Sequence, residues 1–91
     1  MGDATALCVT VRGHVQGVWY RDWTVKNARL LGLTGWVRNQ DDGTVAALLQ
    51  GPSAKVRQMI TRMHDGPPEA RVEEVAEQAC DAEALSGFQR H

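Results

Sequence analysis

Apolar and polar residues alternate along this chain with two different periods, and the changes of period mark out its elements. From Ala6 to Arg12 the repeat is two, with Leu7, Val9 and Val11 on one face, the pattern of a half-buried strand. A glycine-punctuated loop follows from Gly13 to Val18. From Tyr20 to Leu31 the repeat lengthens. Tyr20, Thr24, Ala28 and Leu31 fall at steps of four, four and three, which puts them on one inward stripe of a helix. Gly32 accepts the left-handed conformation that ends helices, and Leu33 beyond it can fold back on the last turn. Thr34 to Asn39 predicts a second strand, Asp41-Asp42-Gly43 a hairpin turn, and Thr44 to Gln50 a short apolar third strand. Gly51-Pro52-Ser53 breaks that strand and opens a second helix, where Val56, Met59, Ile60 and Met63 fall at i, i+3, i+4 and i+7. Asp65-Gly66-Pro67-Pro68 stops it. Ala70 to Glu77 predicts a fourth strand with an acidic second half, and Ser86 to His91 has room only for a short edge strand.

The order is strand, helix, hairpin, helix, strand and remnant. It predicts an α+β fold, the ferredoxin-like split βαβ sandwich: a βαββαβ antiparallel sheet plus a short C-terminal edge strand, with two helices on one face. The 91 residues suit one domain spanning 1–91. Many unrelated activities use this fold, so function has to be read from particular residues.

Charge and composition narrow the classes of partner. A formal net charge of −1 argues against nucleic acid as the main ligand. No apolar run approaches the ~20 residues that a membrane span requires, and Met1 to Ala4 show no basic, apolar start of a secretion signal. The expectation is a cytoplasmic protein without membrane contact. Its charge is uneven, however. Residues 1–39 carry five basic and two acidic side chains, whereas the remainder carries five basic and nine acidic ones, so the first part suits a small anion. Cys8 and Cys80, far apart in sequence and without metal-ligand spacing, read as two buried or idle thiols.

Against that background the segment Gly13-His14-Val15-Gln16-Gly17-Val18-Trp19-Tyr20-Arg21 stands out. It joins a strand to a helix, and its glycines let the backbone curl so that successive N–H groups converge on one anion beside a helix start. Arg21 in the first turn brings a planar fork that matches phosphate oxygens. The nucleotide-binding loop is excluded, because its glycine spacing and terminal Lys-Ser/Thr pair are missing. A tight turn carrying a surface arginine fits the same residues. Asn39, at the end of the second strand, has an amide suited to holding a water or steadying an oxyanion; it suits capping the hairpin equally well.

Taken together, the two segments resemble the signature of the acylphosphatase family. The matching run is Gly13, Val15, Gln16, Gly17, Val18, Tyr20 and Arg21, then Gly32-Leu33-x-Gly35-Trp36-Val37-x-Asn39, then Gly43-x-Val45, with Gly51-Pro52 and Val56 further on. The resemblance covers essentially the whole chain. It implies hydrolysis of carboxyl–phosphate anhydrides to a carboxylate and inorganic phosphate. Arg21 and the backbone amides of Val15, Gln16, Gly17, Val18, Trp19 and Tyr20 would bind the phosphate, and Asn39 would orient the nucleophilic water. It also implies no metal, no cofactor and no phosphoenzyme, with small acyl phosphates as substrates and phosphate or other anions as product or inhibitor, in a monomer. Tyr20 stands where Phe is more usual in that pattern, Trp19 is bulky beside the cradle and shapes access to it, and the last strand is short.

Other residues have plainer readings. His14 is a solvent-facing side chain and His64 sits among the last carbonyls of its helix. Trp23 and Trp36 serve packing, Met59 and Met63 belong to the core stripe, and the acidic group from Glu69 to Glu83 is a solvated edge that discourages strand pairing. Two rival readings use the same fold. A non-catalytic RNA- or anion-binding module would want aromatic and basic residues across an open sheet face, where this chain has few. A motif-bearing piece of a larger maturation or carbamoyl-transfer machine would want a longer chain.

Overall fold

With Leu7, Val9 and Val11 on one side of an extended segment, the first strand can lie inside a sheet with its apolar face under helices. A computed structural model describes residues 3–91 and places it there; Met1 and Gly2, at the head of the expected 1–91 unit, lie outside the described residues. The elements are β1 (Ala4–His14), α1 (Tyr20–Leu30), β2 (Thr34–Asn39), β3 (Val45–Pro52), α2 (Ser53–Asp65), β4 (Arg71–Ala79) and β5 (Phe88–Arg90). They form one five-stranded sheet in the order β4-β1-β3-β2-β5. Leu7, Val9 and Val11 meet the buried faces of α1 (Tyr20, Ala28) and α2 (Val56, Met59, Ile60, Met63) in a single core.

β1 pairs antiparallel with both β3 and β4, and β2 pairs antiparallel with β3. The fifth strand departs from the expected all-antiparallel sheet. β5 runs parallel to β2, with Gly35 opposite Phe88 and Val37 opposite Arg90. The reason lies in the path of the chain. β4 runs opposite to β1 and therefore ends at the edge of the sheet where β2 begins. The segment 80–87 crosses that end of the sheet and reverses, so β5 enters beside β2 in the direction of β2 and opposite to β4. Its crossing is pinned. Cys80 N–H donates to the Ala6 carbonyl, Gly35 N–H donates to the Gly87 carbonyl, and the buried Gln50 amide both donates to the Glu83 carbonyl and accepts from the Glu83 N–H. Gly35 is required here, because a Cβ at its φ of 144° would collide with the Leu48 carbonyl.

β1 is longer than the alternating run predicts. It takes in Gly13 and His14, with the pairing to β4 shifting between Arg12 and Gly13. α1 closes as the Gly32 signal implies, with φ 72° at Gly32 and Leu33 N–H on the Ala28 carbonyl. The acidic strand β4 is an edge. Its Glu74 and Glu77 reach Arg12 (3.3 Å) and Arg57 (2.6 Å), pairs too exposed to add much stability. Trp36 alternates away from the core-facing Val37 and lies under the Arg38 guanidinium, 4.8 Å from its ring centre. Cys8 and Cys80 prove to be neighbours. Both are half-buried, with their sulfurs 2.7 Å apart.

Candidate active site

The β1–α1 connection is held from below. Val15 and Val18 bury their side chains, and between them Gly17 takes φ 76°. Trp19 follows with φ 67° and ψ 20°, the one non-glycine left-handed residue among those described. That conformation costs a bulky residue about 1–3 kcal/mol, which the surrounding packing must supply. The strain lets the chain turn sharply into α1, so Trp19 becomes the helix N-cap while the residue stays 71% exposed. No side chain caps this helix. The N–H groups of its first turn are left pointing toward the loop, with the positive end of the helix dipole behind them.

Gln16 does something its sequence position did not reveal. Its side-chain amide turns away from the loop and donates two bonds of 2.8 Å, one to the Gln40 carbonyl and one to the Thr44 carbonyl. These are backbone groups of the β2–β3 hairpin, so Gln16 straps the cradle to the strand end that carries Asn39. The hairpin is fixed in turn by Gln40 N–H on the Thr44 carbonyl, and by Asp42, which accepts from the Thr44 hydroxyl (2.6 Å) and the Thr44 N–H (3.0 Å). Those two bonds, hydroxyl first, hold the Asp42 carboxyl below its ordinary pKa.

Asp42, then, caps the hairpin, and Asn39 does not. The Asn39 Oδ1 is buried and has no hydrogen-bond partner among the described residues. Asn39 shares a cavity of about 190 Å³ with Arg21, Val15, Gly17, Trp19 and Tyr20. A buried orphan acceptor is expensive and asks for an explanation. Arg21 is oriented by a 2.8 Å bond from Nη1 to the His91 carbonyl, which leaves the rest of its fork available. Tyr20 contributes backbone to the cavity and sends its ring into the core, where its hydroxyl donates to the Met63 carbonyl at 2.7 Å. Burial pushes that phenol well above its usual pKa.

Of the residues expected to form the cradle, Val15, Gly17, Trp19, Tyr20, Arg21 and Asn39 converge on one cavity. Gln16 and Val18 support it from outside. His14 is exposed at the end of β1 and does not line it. Sequence reasoning missed the contribution of β5. Arg90 lines the cavity and pairs with Asp22 of the first helical turn at 3.1 Å, and the next residue supplies the carbonyl that aims Arg21. Arg29 fastens β5 further by donating twice to the Phe88 carbonyl. No local pattern announces Arg90, because its relevance depends on the crossing of segment 80–87. Among the described residues no three His, Cys, Asp or Glu side chains are grouped to hold a metal, and no helix is long and apolar enough to cross a membrane.

Comparison with known proteins identifies the family. The acylphosphatase family model matches residues 7–90. The acylphosphatase of Rhodospirillum rubrum is 51% identical over 82 residues, covering 90% of each chain. That of Rhizobium meliloti is 51% identical over 87 residues, covering 94% of this chain and 92% of its own. The solved structure of an acylphosphatase from Coxiella burnetii superposes with a TM-score of 0.94 at 35% identity, over 98% of this chain and 94% of the other. With the family's model matched across nearly the whole chain and relatives at half identity, this chain belongs to the acylphosphatases, hydrolases that split acyl phosphates into a carboxylate and inorganic phosphate.

Proposed function

We propose that Arg21 and the backbone amides from Val15 to Tyr20 hold the phosphoryl group of a small acyl phosphate, and that Asn39 Oδ1 orients the attacking water. The observation that carries this reading is the buried, unpartnered Asn39 Oδ1 sharing one small cavity with Arg21 and the start of α1. A water bound there donates one hydrogen to Oδ1 and presents a lone pair to phosphorus. As its oxygen bonds to phosphorus, the bridging P–O bond breaks and the carboxylate leaves with the electron pair. The proton released by the water passes to a phosphoryl oxygen, which balances the step as carboxylate plus dihydrogen phosphate. A carboxylate is a good leaving group, so positioning and charge stabilisation carry the reaction, without metal, cofactor or phosphoenzyme. Arg21 and the helix-start amides meet the growing charge on the equatorial oxygens. The chain acts as one monomeric cytoplasmic domain, with neither nucleic acid nor membrane as a partner.

Benzoyl phosphate hydrolysis, followed by ultraviolet absorbance with EDTA present, tests the assignment. Arg21→Ala and Asn39→Ala are each expected to lose ~10²–10³ in kcat, the scale of removing one preorganised stabilising group. Inorganic phosphate should inhibit Asn39→Ala about as well as wild type but Arg21→Ala far more weakly. Full activity in either variant would remove that residue from its role.

A further inference from the structure

Beside the phosphate cavity lies a second, larger hollow of about 520 Å³, formed by Val18, Trp19, Trp23, Pro67 and Pro68 with Lys26 and Glu69 at its margins. It adjoins the cradle at Trp19 and Asp22, which line both. Asn39 lines only the cradle. In an in-line displacement the leaving group departs on the side opposite the attacking water. The acyl part of the substrate therefore has to exit the cradle away from Asn39, and the groove shares Trp19 and Asp22 with the cradle but not Asn39. The indole there is held by a strained backbone and left 71% exposed, although nothing in the core requires it. Strain of this kind persists at sites where it serves a task.

We infer that this apolar groove is the acyl subsite, and that the enzyme selects acyl phosphates with aromatic or medium-length aliphatic acyl groups over acetyl phosphate. The inference rests on the cradle holding the phosphoryl group as proposed above. A ring or chain leaving the cradle across Trp19 lies on the indole and meets Trp23 and Pro67–Pro68 beyond it. Each methylene that leaves water there adds to binding.

Acetyl, butyryl, hexanoyl and benzoyl phosphate form a suitable series, because the aliphatic members release acids of nearly equal strength and differ mainly in apolar surface. Wild-type kcat/KM is expected to rise about tenfold or more from acetyl to hexanoyl phosphate, mostly through KM. Trp19→Gly suits the left-handed backbone while deleting the indole, and it should flatten that ratio to within about twofold. Pro68→Glu, outside the cradle, should lower the same ratio by placing a carboxylate against the chain. A wild-type series that is flat while all four compounds turn over would overturn the subsite and leave the acylphosphatase chemistry standing. A folded wild type that hydrolyses none of them would overturn both. A ratio preserved in Trp19→Gly and Pro68→Glu would place the acyl group elsewhere.

A separate observation concerns the thiols. Cys8 on β1 and Cys80, just past β4, stand 2.7 Å apart, closer than van der Waals contact of two sulfurs, and Cys80 N–H is bonded to the Ala6 carbonyl beside them. The geometry points to a reversible disulfide formed by peroxides. One thiol loses its proton and attacks the peroxide to give a sulfenic acid and hydroxide. The second thiol then displaces that oxygen as water, so two thiols are oxidised and one peroxide is reduced. The bond would close the 72-residue separation between strands β1 and β4 at the root of the crossing segment. After one equivalent of hydrogen peroxide, intact mass should fall by about 2 Da, with one Cys8–Cys80 crosslinked peptide pair. Tm should rise by roughly 10 °C, reversed by dithiothreitol. The mass loss should be absent in Cys8→Ser and Cys80→Ser. An unchanged mass, a stable sulfinic acid, or dimers in place of the internal link would overturn it.

Discussion

Both helices begin without a capping side chain, yet only one of those starts makes a site. α2 opens after Pro52, whose φ of −57° and ψ of 135° are ordinary extended values, and Ser53 at once gives its N–H (2.7 Å) and hydroxyl (3.1 Å) to the Asp3 carbonyl. A protein carbonyl thus takes the first N–H of the helix, and neither Pro52 nor Ser53 has a positive φ. α1 opens after Trp19 in a left-handed conformation, behind a left-handed Gly17, and shares a cavity with Asn39, whose buried oxygen has no partner among the described residues. The difference teaches that a missing cap is uninformative by itself. It gains meaning when backbone strain and an orphan acceptor converge on the same few ångströms, because both cost stability that a purely structural turn would have no reason to spend.

Mutations can press on that contrast. The largest stability loss is expected from Met59→Ala on the fully buried stripe of α2, about 2–5 kcal/mol by denaturant unfolding. At low temperature, where the variant is still folded, its kcat per folded molecule should match wild type. A proportionate fall in kcat would mean that α2 also serves the site. Gln16→Ala comes next and should do the reverse. Losing two part-buried hydrogen bonds costs about 1–2 kcal/mol, but letting the cradle slide against the Asn39 strand should lower kcat about tenfold or more. If activity and stability fall only in step, Gln16 is a fold residue and no more. The smallest effect is expected from Tyr20→Phe, about 1 kcal/mol at neutral pH for the lost bond to the Met63 carbonyl. Its signature is the pH dependence. The buried phenol resists ionising, whereas the unfolded chain sheds that proton near pH 10. Above that value the unfolded state binds fewer protons, so wild-type stability should fall by up to ~1.4 kcal/mol per pH unit. Tyr20→Phe should lack that share of the slope in urea melts between pH 9 and 11.

Local chemistry explains what could be read from the sequence. The Val56-Met59-Ile60-Met63 repeat, the Gly32 helix stop and the hairpin at Asp41–Gly43 each depend on residues a few positions apart, and each forms where the pattern puts it. The proposed cradle could be read for the same reason, since Val15 to Arg21 is one continuous segment from the loop into the first turn of α1. What stayed hidden depends on strand order. Nothing near Phe88 announces a parallel partner on β2, because that follows from which edge β4 ends on. Arg90 and the His91 carbonyl are consequences of the same crossing, and Cys8 meets Cys80 because β4 pairs with β1. Gln16 lay in plain sight inside the motif, but the target of its amide is two backbone carbonyls, Gln40 and Thr44, which have no side-chain identity to read.

The position of β1 in the sheet also has a kinetic meaning. Both its neighbours come from later in the chain, with Leu7 opposite Leu49 on one side and Ala79 on the other. Closing those ladders means bringing together segments dozens of residues apart, and folds dominated by such pairings cross their barrier in milliseconds to seconds instead of microseconds. The proposed phosphate cradle hangs from the end of this strand and is strapped to the β2–β3 hairpin by Gln16. Its geometry can appear only when the slowest pairing is done. During refolding, therefore, catalytic competence should return with the final phase, well after the helices have regained their circular dichroism.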